Sequence, residues 1–96
     1  MARAHYTPES DEDLIRIAST IAKDNPTAAF RWVEAMEGVC NLLAAQPGIG
    51  QSIKTKRFGD IRRHAAGNYL IYYKPAGDGV LILAVTHGAR DQGKLV

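Results

Sequence analysis

With 96 residues, 46% of them hydrophobic and 23% charged, the chain has the make-up of a single soluble globular domain, residues 1–96, with one core and little structure to spare for covering it. No apolar run approaches a membrane span, Met1 to Tyr6 lack the apolar stretch of a signal peptide, and the lone Cys40 cannot close an internal disulfide, so a reducing cytoplasm is the expected setting. The net charge of +2 is polarised: residues 7 to 37 hold seven acids against three bases, and residues 51 to 74 hold six Lys/Arg against Asp60, a basic segment that suits nucleic acid, an acidic protein partner, or a solvated edge strand.

Residues Arg3 to Tyr6 form a short candidate strand. Thr7-Pro8-Glu9 then opens a helix, because Thr7 can accept from a free backbone N–H, Pro8 fits the first turn, and Glu9, Asp11, Glu12 and Asp13 complement its positive end. Leu14, Ile17, Ala18, Ile21 and Ala22 recur at helical spacing and give this helix one apolar stripe. Asp24-Asn25-Pro26 ends it and starts a second helix, antiparallel to the first, with Asn25 as the new cap. Along that helix, from Pro26 to about Gln46, Ala29, Trp32 or Val33, Met36, Val39 or Cys40, and Leu43 step along a core face. Cys40 at that spacing reads as a small buried hydrophobe. Gly38 weakens the helix and is expected to mark close approach to its neighbour.

Gln46-Pro47-Gly48-Ile49-Gly50 stops the second helix, and the basic, glycine-containing segment up to Asp60 reads as a loop. Ile61 to His64 is a possible strand. A β-hairpin follows, with Tyr69 to Tyr73 and Val80 to Val85 flanking the turn residues Pro75, Gly77, Asp78 and Gly79. The second of these runs does not alternate apolar with polar, the pattern of a strand covered on both faces, which predicts the central strand. The expected fold is α+β: a small antiparallel sheet in the order β-α-α-β-β-β, with an N-terminal helical hairpin packed on one face. Two helices cover one face only. Leu70 and Tyr72, or Ile71 and Tyr73, are therefore expected in an exposed apolar patch of the kind that marks a partner site.

The sequence offers few catalytic constellations. It has no serine in a nucleophile-elbow setting, no metal-ligand cluster and no glycine-rich strand-to-helix loop, so neither metal nor cofactor is expected. His87 and Arg90, with Arg62, Arg63 and His64, could cleave RNA by acid–base work with arginine stabilising the phosphorane. Against this, His87 also fits a strand-end polar residue, with Arg90 pairing Asp91 or an acid of a partner. Proximity of Arg62, Arg63, His87 and Arg90 at one end of the sheet is an assumption of both readings.

Several pieces, taken together in order and spacing, resemble the ParE branch of the RelE/ParE toxins of type II toxin-antitoxin modules. They are Asp13-Leu14 with Ile17 and Ile21-Ala22, Asn25-Pro26 with Ala28-Ala29, and Leu-Leu-Ala-Ala-Gln-Pro-Gly-Ile-Gly ending at Gly50. Ile61-Arg62 followed by Tyr69-Leu-Ile-Tyr-Tyr-Lys and then Val85-Thr-His-Gly-Ala-Arg-Asp complete the set. The resemblance implies the fold just described and a cytoplasmic, bacterial toxin in a hetero-oligomer with a ParD-like antitoxin. It further implies inhibition of DNA gyrase without a hydrolytic site, with direct nucleic-acid binding secondary and no membrane association. The RelE branch implies the alternative, a ribosome-dependent mRNA endoribonuclease in which His87 and Arg90 would be catalytic. That branch usually carries a tyrosine near the C-terminus, whereas the chain here reads Asp-Gln-Gly-Lys-Leu-Val after Arg90. The residues expected to bind target or antitoxin are Arg57, Arg62, Arg63, Leu70, Tyr72, Tyr73, His87 and Arg90.

Overall fold

Two capped proline starts set the helical half of the molecule, whose computed structural model describes residues 2–90. Thr7 Oγ1 accepts from Ser10 N at 3.1 Å and Pro8 takes the first position of helix α1 (Pro8–Asp24), a position where the missing N–H costs nothing. Asn25 ends α1 through its own N–H, bonded to the Ile21 carbonyl, and caps α2 (Pro26–Ala45) through its side chain, which accepts from Ala28 N at 3.0 Å. One residue serves both helices, so they fold back on each other as an antiparallel hairpin. A short 3-10 turn, Pro47–Ile49, then carries the chain off α2.

Five strands follow the order β1-β5-β4-β3-β2 across a single sheet: β1 (Arg3–Tyr6), β2 (Gln51–Thr55), β3 (Gly59–Ala66), β4 (Tyr69–Ala76) and β5 (Gly79–His87). Strands β2 to β5 are antiparallel neighbours, and β1 pairs parallel with β5 from Arg3↔Gly79 to Tyr6↔Ile82. The α+β layout with a helical hairpin on one face is therefore as expected, while the sheet itself is mixed. Three expectations are corrected. The segment read as a loop contains β2, because Gly59, at φ +72°, makes the tight return that lets Gln51 to Thr55 pair with β3. The middle strand is β4, not β5, since β1 and β5 occupy one side of it and β3 and β2 the other. Gly38 is no contact point, because a Cβ built there meets nothing within 4 Å.

The two sheet faces carry two clusters. On the helix side Met36, Cys40, Leu43 and Ala44 pack against Ile71, Tyr73, Val80, Ile82 and Val85, with Leu14, Ile17 and Trp32 closing the margin. Burial pushes the Cys40 thiol pKa up, which leaves it protonated and unreactive in the folded chain. On the opposite face Ile61, Tyr72 and Leu83 form a second cluster, joined by half-buried Ile53, Phe58, Leu70, Leu81 and Ala84. Phe58 belongs to the turn between β2 and β3, and beside it Arg57 Nη2 reaches Glu9 Oε1 on α1 at 2.6 Å. The turn of that hairpin thus adds Phe58 to the cover of the second face. This corrects the expectation of a bare apolar patch, since Ile71, Tyr72 and Tyr73 are fully buried and Leu70 is half-buried. The large exposed apolar side chains are instead Ile15, Phe30, Leu42 and Ile49, on the helices and the turn after them.

Candidate functional site

The groove between α1 and the end of β5 is built around an irregularity in the sheet. Tyr73 pairs with Ile82 and Tyr72 with Ala84, so Leu83 is an extra residue on β5, a bulge that re-aims the strand. The start of α1 takes up the polar groups this frees: Thr7 N donates to the Ile82 carbonyl at 3.1 Å and Thr7 Oγ1 to the Leu83 carbonyl at 3.3 Å. Six residues on, Asp13 Oδ2 accepts from Val85 N at 3.0 Å, and its Oδ1 accepts from Arg16 Nη2 at 2.6 Å. Beyond Asp13 the two elements part and leave a groove of about 480 Å³, lined by Glu12, Arg16, Ile17, Ile21, Tyr69 and His87 among others. An aromatic row runs into it from the helices. Trp32 meets Tyr69 edge-on at 5.1 Å and Tyr69 meets His87 edge-on at 5.2 Å, with Trp32 Nε1 buried and unbonded at the inner end.

Asp13 is the residue sequence reasoning placed wrongly. It was read as one of four acids facing the helix dipole, whereas its carboxylate holds α1 to β5, and its side chain is only 17% exposed. Replacing it with alanine leaves the Val85 N–H without its partner, and a hydrogen bond to a charged group of this kind contributes about 1.5–3 kcal/mol. Asp13→Ala is expected to lower unfolding stability by that amount in chemical denaturation. Arg16→Ala, which removes only the exposed half of the pair, is expected to change it by less than about 0.5 kcal/mol.

The basic residues lie elsewhere. Arg62 and Arg63 are neighbours on β3 and so face opposite sides of the sheet. Arg62 turns toward the helix side, where Nη1 donates to the Gly50 carbonyl at 2.6 Å. The same turn is held by Tyr73, whose hydroxyl donates to the Pro47 carbonyl at 2.7 Å and accepts from Gly50 N at 2.9 Å. Burial raises the Tyr73 pKa, so the hydroxyl keeps the proton it donates. Arg62 and Tyr73, both expected at a partner surface, thus clamp the turn after α2. A Cβ at position 50 would run into the Tyr73 ring and hydroxyl, so any larger residue there would displace the clamp. Arg63 is on the other face and donates to Gln51 Oε1 at 3.2 Å. Arg57 pairs with Glu9 and lies 4.8 Å from the Phe58 ring centroid.

His87 does not meet these arginines. It opposes Tyr69, which opposes Ala66, while Arg62 opposes Tyr73. The four residues from Arg62 to Ala66 amount to about 13 Å along the strand at roughly 3.3 Å each. The assumed cluster of Arg62, Arg63 and His87 at one end of the sheet is therefore not formed. His87 Nδ1 accepts from Ala89 N at 3.2 Å, which places the proton of the neutral ring on Nε2. The backbone of Arg90 closes the 3-10 turn Gly88–Arg90; the Arg90 side chain and Asp91 lie outside the described residues. Among the described residues no three His, Cys, Asp or Glu side chains gather in a metal-binding arrangement, and no helix is long and apolar enough to cross a membrane.

Comparison with known proteins adds to this geometry. The sequence model of the family described as the ParE toxin of type II toxin-antitoxin system, parDE, matches residues 4–92. A search of curated proteins finds no match. Among solved structures, a chain of the chromosomal ParDE TA system from P. aeruginosa superposes with a TM-score of 0.72 at 17% sequence identity, covering 91% of this chain and 96% of that one.

Proposed function

The chain belongs to the ParE toxins of type II toxin-antitoxin systems, and from that premise we propose that it poisons DNA gyrase by binding, without hydrolytic chemistry of its own, until a ParD-like antitoxin neutralises it in a hetero-oligomer. The observation that carries the non-hydrolytic part is the state of His87. A general base needs an unprotonated nitrogen aimed at its substrate. Nδ1 accepts from the Ala89 N–H, so in the neutral ring the free nitrogen, Nε2, carries the proton and is not set up as a base. Of the arginines on the sheet, Arg62 is committed to the Gly50 carbonyl, and Arg57 in the β2–β3 turn is committed to Glu9. Asp13, which lines the groove beside β5, is held by Val85 N and Arg16.

In this reading the positive groups bind rather than catalyse. Arg63, with Arg90 at the end of β5, supplies planar donors for carboxylates of gyrase or antitoxin, or for the backbone of cleaved DNA. The test is toxicity on induction without antitoxin. His87→Ala is expected to leave growth arrest nearly unchanged, because no proton moves, while Arg90→Ala weakens it by weakening association. An RNA-cleaving enzyme would respond differently: removal of its acid or base would lower the rate by roughly 100-fold or more with binding intact. A His87→Ala variant that still binds its target and antitoxin yet has lost all toxicity would contradict the proposal.

A further inference from the structure

We propose that the Asp78-Gly79 step is a site of spontaneous aspartate isomerisation, and that strand β1 guards it in the folded chain by clasping the turn between β4 and β5. The inference concerns the chain's own covalent chemistry and is independent of the target proposed above.

The reaction needs an aspartate followed by a residue whose backbone nitrogen is open to the side-chain carboxyl, and glycine shields that nitrogen least. The sequence holds one Asp-Gly step, Asp78-Gly79, and no Asn-Gly step. Folding sets it at a hairpin tip. Ala76 pairs with Gly79, so Gly77 and Asp78 form a two-residue turn, with Gly77 at φ +53°. Asp78 is exposed there, and exposed tips are where backbone chemistry concentrates.

In the first step Gly79 N attacks Asp78 Cγ. The N–Cγ bond forms, and the hydroxyl of the protonated carboxyl leaves as water with the Gly79 amide proton, closing a cyclic imide. In the second step water adds to one of the two imide carbonyls. Addition at Cγ restores aspartate. Addition at the former main-chain carbonyl breaks its bond to Gly79 N and leaves the chain running through Cβ and Cγ, an isoaspartate with a free α-carboxylate. Mass and charge are unchanged, and water is the only other reactant.

The contacts of β1 oppose the first step. His5 Nε2 lies 2.7 Å from Asp78 Oδ1, which fixes the carboxyl. Chiefly through that hydrogen bond the Asp78 pKa is held below the usual carboxylate value, and an ionised carboxylate is a poor target for a nucleophile and has no hydroxyl to lose. Arg3 N donates to the Asp78 carbonyl at 3.2 Å, so the peptide plane that must rotate is fixed as well. The Arg3 backbone also lies against Gly79 so closely that a Cβ there has no room. Ring closure therefore waits for β1 to lift. The product in turn undoes the clasp: the extra main-chain carbon lengthens the turn, the carbonyl that Arg3 N binds becomes a carboxylate, and the register Arg3↔Gly79 loses its anchor. Because β1 leads directly to Thr7, which caps α1 and holds the β5 bulge, damage at this exposed turn reaches the helix start.

The experiment ages the full chain beside the capped peptide Lys-Pro-Ala-Gly-Asp-Gly-Val-Leu in warm neutral buffer. Isoaspartate is counted with an isoaspartyl methyltransferase and a labelled methyl donor, and located by electron-transfer fragmentation. Label is expected at Asp78 in both, accumulating at least about tenfold more slowly in the full chain because the clasp must open first. His5→Ala, with its fold checked by circular dichroism, is expected to speed the reaction by about two- to fivefold, the range of an exposed ion pair. His5→Gln, which keeps a hydrogen-bond donor, should fall between the two and serves the same purpose if the alanine variant does not fold. Asp78→Glu, whose longer side chain closes the imide poorly, is expected to lose the label at that position. Hydrogen exchange on the separated aged chain is expected to show the β1 amides unprotected. Label on other aspartates with Asp78 unchanged would overturn the site. Equal rates in chain and peptide, or a folded His5 variant that ages no faster than wild type, would overturn the guarding role of β1.

Discussion

Leu43→Ala is expected to destabilise the chain by about 2–5 kcal/mol, the range for emptying a fully packed leucine site. Leu43 has no exposed surface and sits in the helix-side cluster with Met36, Ile71 and Tyr73. The walls around it belong to a strand-backed core and to α2 itself, so the cavity left by the missing carbons can collapse only in part. Its neighbour supplies the control. Leu42 is 44% exposed on the outer side of α2, and Leu42→Ala is expected to shift stability by less than about 0.5 kcal/mol. Denaturant titration of both variants measures the contrast directly, and similar losses at the two positions would mean that the buried face of α2 is assigned wrongly.

Gly79→Ala is expected to cost about 3 kcal/mol, the upper end of what overpacking usually exacts. The cause is space. A Cβ at this position would lie 1.9 Å from the Arg3 carbonyl oxygen and 2.7 Å from Arg3 N, and backbone atoms cannot swing aside as a flexible side chain can. The strand β1 starts its parallel pairing at Gly79 and is tied there by Arg3 N to the Asp78 carbonyl at 3.2 Å and His5 Nε2 to Asp78 Oδ1 at 2.7 Å. Moving β1 away also disturbs Ala4 and Tyr6, which pack on the core, and Thr7, which caps α1 and the β5 bulge. Hydrogen exchange of the β1 amides in Gly79→Ala should therefore approach that of an open chain. Retained protection there, with unchanged stability, would contradict the close approach.

The elements legible in the sequence are those with local chemistry. Thr7-Pro8 and Asn25-Pro26 mark both helix starts because cap and proline act on adjacent residues, and the structure shows those bonds. The β4–β5 hairpin is legible for the same reason, from two branched runs and a glycine-bearing turn. The strand β2 was missed because Gln-Ser-Ile-Lys-Thr has a single apolar residue, too few to show a strand period; its strand state comes from pairing with β3. The cover on the second sheet face was missed because part of it comes from the β2–β3 turn, whose Phe58 packs against the cluster that holds Leu83. The parallel pairing of β1 is long-range in the same way.

The candidate site follows the same division. His87 and Arg62 were singled out by type, but whether they meet depends on register, and the register separates them. Asp13 looked like one acid among several in a helix start, and only the bulge at Leu83, with the Val85 N–H it leaves facing α1, gives that acid its task. The clamp of Arg62 and Tyr73 on the turn at Gly50 was likewise hidden, since its partners are main-chain groups 12 and 23 residues away in sequence.

The central claim, gyrase poisoning by binding without hydrolysis, is tested most directly by adding the purified chain to DNA gyrase and supercoiled plasmid with ATP, trapping the products with detergent and protease, and running ribosome-bound mRNA in parallel. The account predicts that linear, protein-linked DNA accumulates with wild type and with His87→Ala alike, and that the mRNA stays intact. Intact plasmid together with cut mRNA, lost on His87→Ala, would contradict it.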